Sequence, residues 1–235
     1  MPPKRKSNSK ISVISPAIQE QILPSQQSRD LSDEEVRLAR ISDLSYQKYA
    51  ATRRKQARDL GLTYDPELSD KTIAVFTDNK TGKVYISHRG TKLSDEGVKD
   101  LASDALVVLG IEKFDKRHKE AQNNLLKVRD KYKDSEIVLA SHSLGGTISR
   151  NIALENPDLQ AYIFAPGTSL GHIKDNYEVS KTDRIKSYSV SGDPLSAFSR
   201  HSSGEEAVNV KRNPDASSAH SLSNYTQPER KLNIQ

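Results

Sequence analysis

Apolar positions along the chain change their period several times, and each change marks an element. Between Ser32 and Gly61, the residues Val36, Leu38, Ala39, Ile41, Leu44 and Tyr49 recur at helical spacing. Ser32 with Glu35 three residues on is a helix-start signature, so one helix is predicted from there to just before Gly61. A β-branched run at 72–77, a turn at 78–82 and a second run at 84–87 predict a hairpin. The helical period returns over 93–109, with Ser94 as cap and Val98, Leu101, Ala105 and Val108 on one face. It returns again over 114–132, where Leu125, Val128 and Tyr132 mark the buried stripe. Ile137, Val138, Leu139 and Ala140 form an apolar strand, followed after a turn of small residues by a helical pattern from Thr147. Further strands are predicted at 161–164 and 185–190, the second ending in Ser191-Gly192-Asp193-Pro194. The remainder is loop-rich. Strands alternating with helices imply an α/β fold whose mostly parallel central sheet is flanked by helices. Functional groups in such sheets collect at the carboxyl ends of the strands.

Residues 1–30 are rich in Pro, Ser, Gln and Lys without periodicity, and read as a disordered basic tail ahead of one domain over 31–235. The net charge of +5 is partly carried by Lys4, Arg5, Lys6 and Lys10 in that tail. The folded part is therefore nearer neutral, which argues against a nucleic-acid surface apart from a contact through the tail itself. The cluster Pro2-Pro3-Lys4-Arg5-Lys6 reads as a solvated basic terminus, with a nuclear import signal or an anion-binding arm as the alternative. The chain has no cysteine and no N-terminal apolar segment of signal-peptide form, so an intracellular location is expected. The apolar runs at 105–111 and 137–140 are too short to cross a bilayer. His88, His118 and His172 are not grouped at metal-ligand spacing, and neither a metal nor a cofactor is implied.

The candidate chemistry starts at Ser141-His142-Ser143-Leu144-Gly145-Gly146. Strand, tight turn around a serine, then helix is the nucleophile elbow of α/β-hydrolases. The usual pattern is Gly-x-Ser-x-Gly, and here Ser141 stands at the first glycine. A serine nucleophile needs a base, and the base needs an orienting acid, in the chain order Ser, Asp/Glu, His. Among the later acids Asp193 is preferred, because it directly follows a predicted strand in a Gly-Asp-Pro turn. Asp158 falls at the opposite end of the sheet, and Asp175 and Asp183 fall in polar loops. His220 is preferred as base, with His201 as the main rival. His142 flanks the nucleophile but points away from its hydroxyl, and is expected to pack or hydrogen-bond nearby. The oxyanion needs two donors: the N–H of Leu144, and one from the segment Arg89-Gly90-Thr91.

Together these residues give the chain a resemblance to class 3 lipases, the fungal-type triacylglycerol lipases. His88-Arg89-Gly90-Thr91 resembles the family's strand ending in Arg-Gly-Ser/Thr, which implies Thr91 as an oxyanion residue. The segment Asp100-Leu101-Ala102-Ser103-Asp104 is similar to its Asp-Trp-x-x-Asp, without the Trp. His142-Ser143-Leu144-Gly145-Gly146 resembles its elbow, Phe164-Ala165-Pro166-Gly167 its Phe-Gly-x-Pro, Asp193-Pro194 its acid loop, and Ala219-His220-Ser221-Leu222 its histidine segment. The resemblance covers about residues 70–225 and implies carboxylic ester hydrolysis through an acyl-enzyme. Its implied partners are an acyl ester, a lysolipid, phospholipid or triglyceride, and transiently a lipid surface. With 4 Phe, no Trp and a polar opening to the segment after Thr91, no apolar lid is evident, so esterase-like chemistry is favoured over true lipase activity. A hydrolase-fold protein of binding or structural role, weak or inactive in catalysis, is the alternative.

Overall fold

A computed structural model describes residues 28–90, 111–167, 182–193 and 206–226. Four helices and seven strands make up its regular elements: α1 Asp33–Leu44, α2 Ala50–Asp59, β1 Leu62–Asp65, β2 Ile73–Asp78, β3 Val84–His88, α3 Ile111–Lys131, β4 Ile137–Ser143, α4 Leu144–Glu155, β5 Gln160–Pro166, β6 Ile185–Val190 and β7 Glu206–Val210. The strands form one sheet in chain order, β1 to β7. The two pairings among β1, β2 and β3 are antiparallel, and every pairing from β3 to β7 is parallel. The fold is thus α/β with a mostly parallel central sheet. The helix expected over 93–109 and the tail before residue 28 lie outside the described residues.

Alternation along the strands sorts side chains to two faces. Val138, Ala140, Phe76, Tyr85 and Phe164 join α1 and α2 in one core layer. Ile137, Leu139, Val75, Ile86 and Ile163 join α3 and α4 in the other. Both faces of the central strands are covered, which accounts for the unbroken apolar run at Ile137–Ala140. No described helix is long and apolar enough to cross a membrane.

Three elements differ from the sequence expectation. The single helix to Gly61 is two helices, broken between Leu44 and Ala50. Ser45 ends α1 by turning its hydroxyl back to the Ser42 carbonyl at 2.8 Å. The buried Arg53 guanidinium then donates to the Ser45 and Gln47 carbonyls at 3.4 and 2.9 Å, satisfying groups the break frees. The strands β1 and β7 fall where no strand is predicted. Both are outermost in the sheet: β1 is only four residues long, and β7 opens on two exposed residues, which mutes its pattern.

α1 opens on the capping box expected from Ser32 and Glu35. Glu35 also accepts from Arg29 at 2.6 Å and from the Tyr188 hydroxyl at 2.9 Å. Burial alone would raise its carboxyl, but Arg29, the Ser32 N–H and Tyr188 outweigh it and bring it from 4.5 down to about 2. Asp78 is likewise held at about 2: the Thr81 and Lys80 N–H groups and Arg37 overcome the upward push of burial. A carboxylate depressed in the folded state adds stability above its unfolded pKa and loses it as pH falls toward the folded value. The melting temperature is therefore expected to drop steeply as pH falls from about 5 to 2, and Glu35→Gln to flatten that slope. Thermal unfolding followed by circular dichroism across that range checks it; an unchanged melting temperature contradicts the account.

Candidate active site

Ser143 is the last residue of β4 and the residue before α4. Its backbone takes φ 58° and ψ −132°, a sparsely populated conformation for a side-chain-bearing residue, which lifts the hydroxyl out of the sheet. The turn is possible because α4 packs against its neighbours with no room for side chains. A Cβ on Gly145 would overlap the His88 carbonyl of β3, and one on Gly146 would lie 2.5 Å from Ile163 Cγ2 of β5. As the first residue of α4, Leu144 has an N–H without a partner inside the helix, aimed outward with the positive end of the helix dipole. A Cβ on Gly167 would sit 3.0 Å from Leu144 N, so glycine there leaves that N–H uncovered.

Ser141, the departure from the elbow pattern, has a physical explanation. Its hydroxyl is fully buried, accepts from the His88 N–H at 2.9 Å and meets the Ser149 hydroxyl at 2.7 Å. Ser149 in turn meets His88 Nδ1 at 2.8 Å. Burial, and then the positive Arg117, push the His88 imidazole down to about 3, so it is a neutral member of a polar cluster beneath the elbow. Restoring the pattern with Ser141→Gly strips the His88 N–H of its acceptor. The change is expected to cost about 1–3 kcal/mol of stability while leaving the rate per folded molecule within a few-fold. Denaturant unfolding alongside esterase assays would refute this if the glycine variant proved more stable.

The structure brings Ser143, His220 and Asp193 together. His220 Nε2 lies 2.9 Å from Ser143 Oγ, and its Nδ1 lies 3.1 and 3.0 Å from the two Asp193 carboxylate oxygens. A carboxylate only accepts, so Nδ1 carries the proton of the neutral ring and Nε2 is left to accept from the Ser143 hydroxyl. The Asp193 side chain is 0% exposed and that of His220 12%. Asp193 is placed by the turn after β6, where Gly192 takes φ 85° and the Asp193 N–H returns to the Val190 carbonyl at 3.2 Å. The fully buried Asn224, which no sequence signal singles out, holds the loop that carries His220. Its amide faces the Ser218, Ala219 and Ser221 carbonyls at 2.8–3.1 Å and accepts from the Asn213 N–H at 3.1 Å.

His142 is buried, its ring 5.1 Å from that of His220. Its Nε2 meets the His220 carbonyl and its Nδ1 the Tyr46 hydroxyl, both at 2.9 Å. Burial and the adjacent His220 bring it down to about 3, so it stays neutral. Tyr46 comes from the break between α1 and α2, and its hydroxyl also accepts from the Gly90 N–H at 3.1 Å. Asp158 is remote, paired with Arg129 at 2.6 Å. Thr91, Pro194, and the rivals Asp175, His172 and His201, lie outside the described residues.

Solved structures share this architecture over most of the chain. The Lip2 lipase from Yarrowia lipolytica superposes with a TM-score of 0.51 at 16% identity, covering 84% of this chain and 85% of its own. The fold is that of the fungal lipases. A mutant of MDLA from Penicillium cyclopium gives a TM-score of 0.50 at 14% identity, covering 83% of this chain and 86% of its own. No family model matches the sequence, and no curated protein matches it. The fungal-lipase architecture here is therefore carried by a sequence far from those of its structural neighbours.

Proposed function

We propose that the protein is a serine hydrolase of carboxylic esters. The observation that supports this best is the continuous chain from Ser143 Oγ through the His220 ring to Asp193, with every link at 2.9–3.1 Å. In this reading His220 Nε2 removes the Ser143 proton as Oγ attacks the ester carbonyl. The carbonyl π electrons move to oxygen, and the Leu144 N–H stabilises the resulting anion. Thr91 is assigned as the second donor; its neighbour Gly90 lies so near the elbow that a Cβ there would be 3.1 Å from Ser143 Cβ. As the tetrahedral intermediate collapses, His220 returns its proton to the leaving alcohol and an acyl-serine remains. Water then attacks that acyl group, His220 again taking and returning the proton. Asp193 holds the imidazole in the productive tautomer and stabilises it when charged.

The same fold in lipases supports a lipid ester as substrate class, with a short acyl ester, a lysolipid or a phospholipid as alternatives. A fluorophosphonate probe is expected to label the folded protein at Ser143, located by mass spectrometry of the modified peptide. A series of p-nitrophenyl esters of rising acyl length then separates esterase from lipase behaviour. Folded protein that neither reacts with the probe nor turns over any ester in the series would favour a non-catalytic binding role.

A further inference from the structure

Tyr46, His142 and Gly90 form a connection beneath the site that the triad itself does not require. The donors in it are determined by what each partner can do. The His220 carbonyl only accepts, so His142 Nε2 carries a proton and donates to it. In a neutral ring Nδ1 then accepts, so the Tyr46 hydroxyl must donate to it. The Tyr46 oxygen is left to accept, and the Gly90 N–H fills that role. Each donor in this connection therefore has one acceptor, and the direction of every bond is fixed. Its two ends are the backbone of the residue carrying the proposed base and the strand end lying against Ser143. The rings pack as well as bond: Tyr46 meets His142 edge-on at 5.8 Å, and His142 lies 5.1 Å from the His220 ring.

We propose that Tyr46 is a positioning residue for the reaction, acting through His142 on the backbone of His220 and through the Gly90 N–H on the oxyanion side of Ser143. The inference rests on the hydrolase reading. The His142 ring is pinned at both nitrogens. Removing the Tyr46 hydroxyl leaves it hinged on the His220 carbonyl alone and orphans the Gly90 N–H in the same step. Both wings of the site then lose their common reference, although no triad atom has been touched.

The test is a double-mutant cycle with Tyr46→Phe and His142→Leu on the full chain. Tyr46→Phe is expected to lower kcat on p-nitrophenyl butyrate by about 10- to 100-fold, the range for a catalytic group misplaced by up to an ångström, with KM within about twofold. His142→Leu should remove the route to His220, and adding Tyr46→Phe to it should then cost only the share carried by the Gly90 N–H, clearly less than Tyr46→Phe costs alone. His142→Gln, whose amide still donates to the His220 carbonyl, should recover part of the loss. Additive effects, a shared change in KM alone, or Tyr46→Phe turnover within twofold of wild type would overturn the proposal. Failure of the hydrolase reading is seen separately, as wild-type protein that takes no fluorophosphonate. Even then ¹⁵N-histidine spectra decide the matter: Tyr46→Phe must shift the His220 ring signals, and unchanged signals overturn it.

Discussion

Ser143→Ala is expected to lose p-nitrophenyl ester turnover by ~10⁴-fold or more while unfolding at the same temperature as wild type. Alanine keeps the Cβ, the φ of 58° and the packing of the elbow, and removes only Oγ. Among the described residues Ser143 is the hydroxyl that meets His220 Nε2, so in the proposed mechanism the residual rate is set by the oxyanion donors and binding. Asp193→Asn should come close to it, at about 10⁴-fold, for a different reason. An asparagine amide presents a donor where His220 Nδ1–H needs an acceptor, so the ring turns its proton toward Ser143 and stops being a base. Active-site titration with matched circular dichroism separates these losses from misfolding. An alanine variant that retained more than a few per cent of turnover would remove Ser143 from the mechanism.

The largest effect on stability is expected at Gly145, not in the apolar core. A methyl group there would overlap the His88 carbonyl oxygen, and its carbonyl carbon lies 2.6 Å away. Both atoms belong to the backbone of β3 and cannot rotate aside, so relief requires α4 to lift from the sheet. Gly145→Ala is expected to cost about 3 kcal/mol or more, with activity lost alongside, because the same helix start supplies the Leu144 N–H. Gly82→Ala provides the contrast. That glycine has φ 72° but open space around it, so the change should cost only about 1 kcal/mol of backbone strain. Urea unfolding of the two variants measures the difference; equal costs would mean that α4 does not pack as tightly as described.

The elbow and the turn at Asp193 are legible in the sequence because each carries a local mark. The elbow announces itself locally, because a strained serine turn demands small residues on either side and an apolar strand before it. Asp193 is marked in the same way by Gly192, whose φ of 85° few other residues adopt. Tyr46 carries no such mark. It meets His142 across 96 positions of sequence, and its setting, a polar turn between two helices, reads as the interior of one helix. Ser141 departs from the local glycine pattern, and the reason, its contacts with Ser149 and His88, is made only by the fold. Asn224 is similarly silent, since its value lies in carbonyls that converge only after the His220 loop closes. β7 gives no strand signal because an outer strand needs only one neighbour, and Glu206 and Asn209 interrupt its apolar residues.

The sheet is laid down in the order in which the chain is written, one strand beside the last. A polypeptide emerging from the ribosome can therefore assemble β1 to β5 and seat Ser143 at its sharp turn while Asp193 and His220 are still being translated. During that interval the serine is an ordinary alcohol with no base beside it. In the proposed mechanism the hydroxyl gains its reactivity only when the final loop docks onto a sheet already built, so a nascent or C-terminally clipped chain would be well folded in its centre and chemically inert.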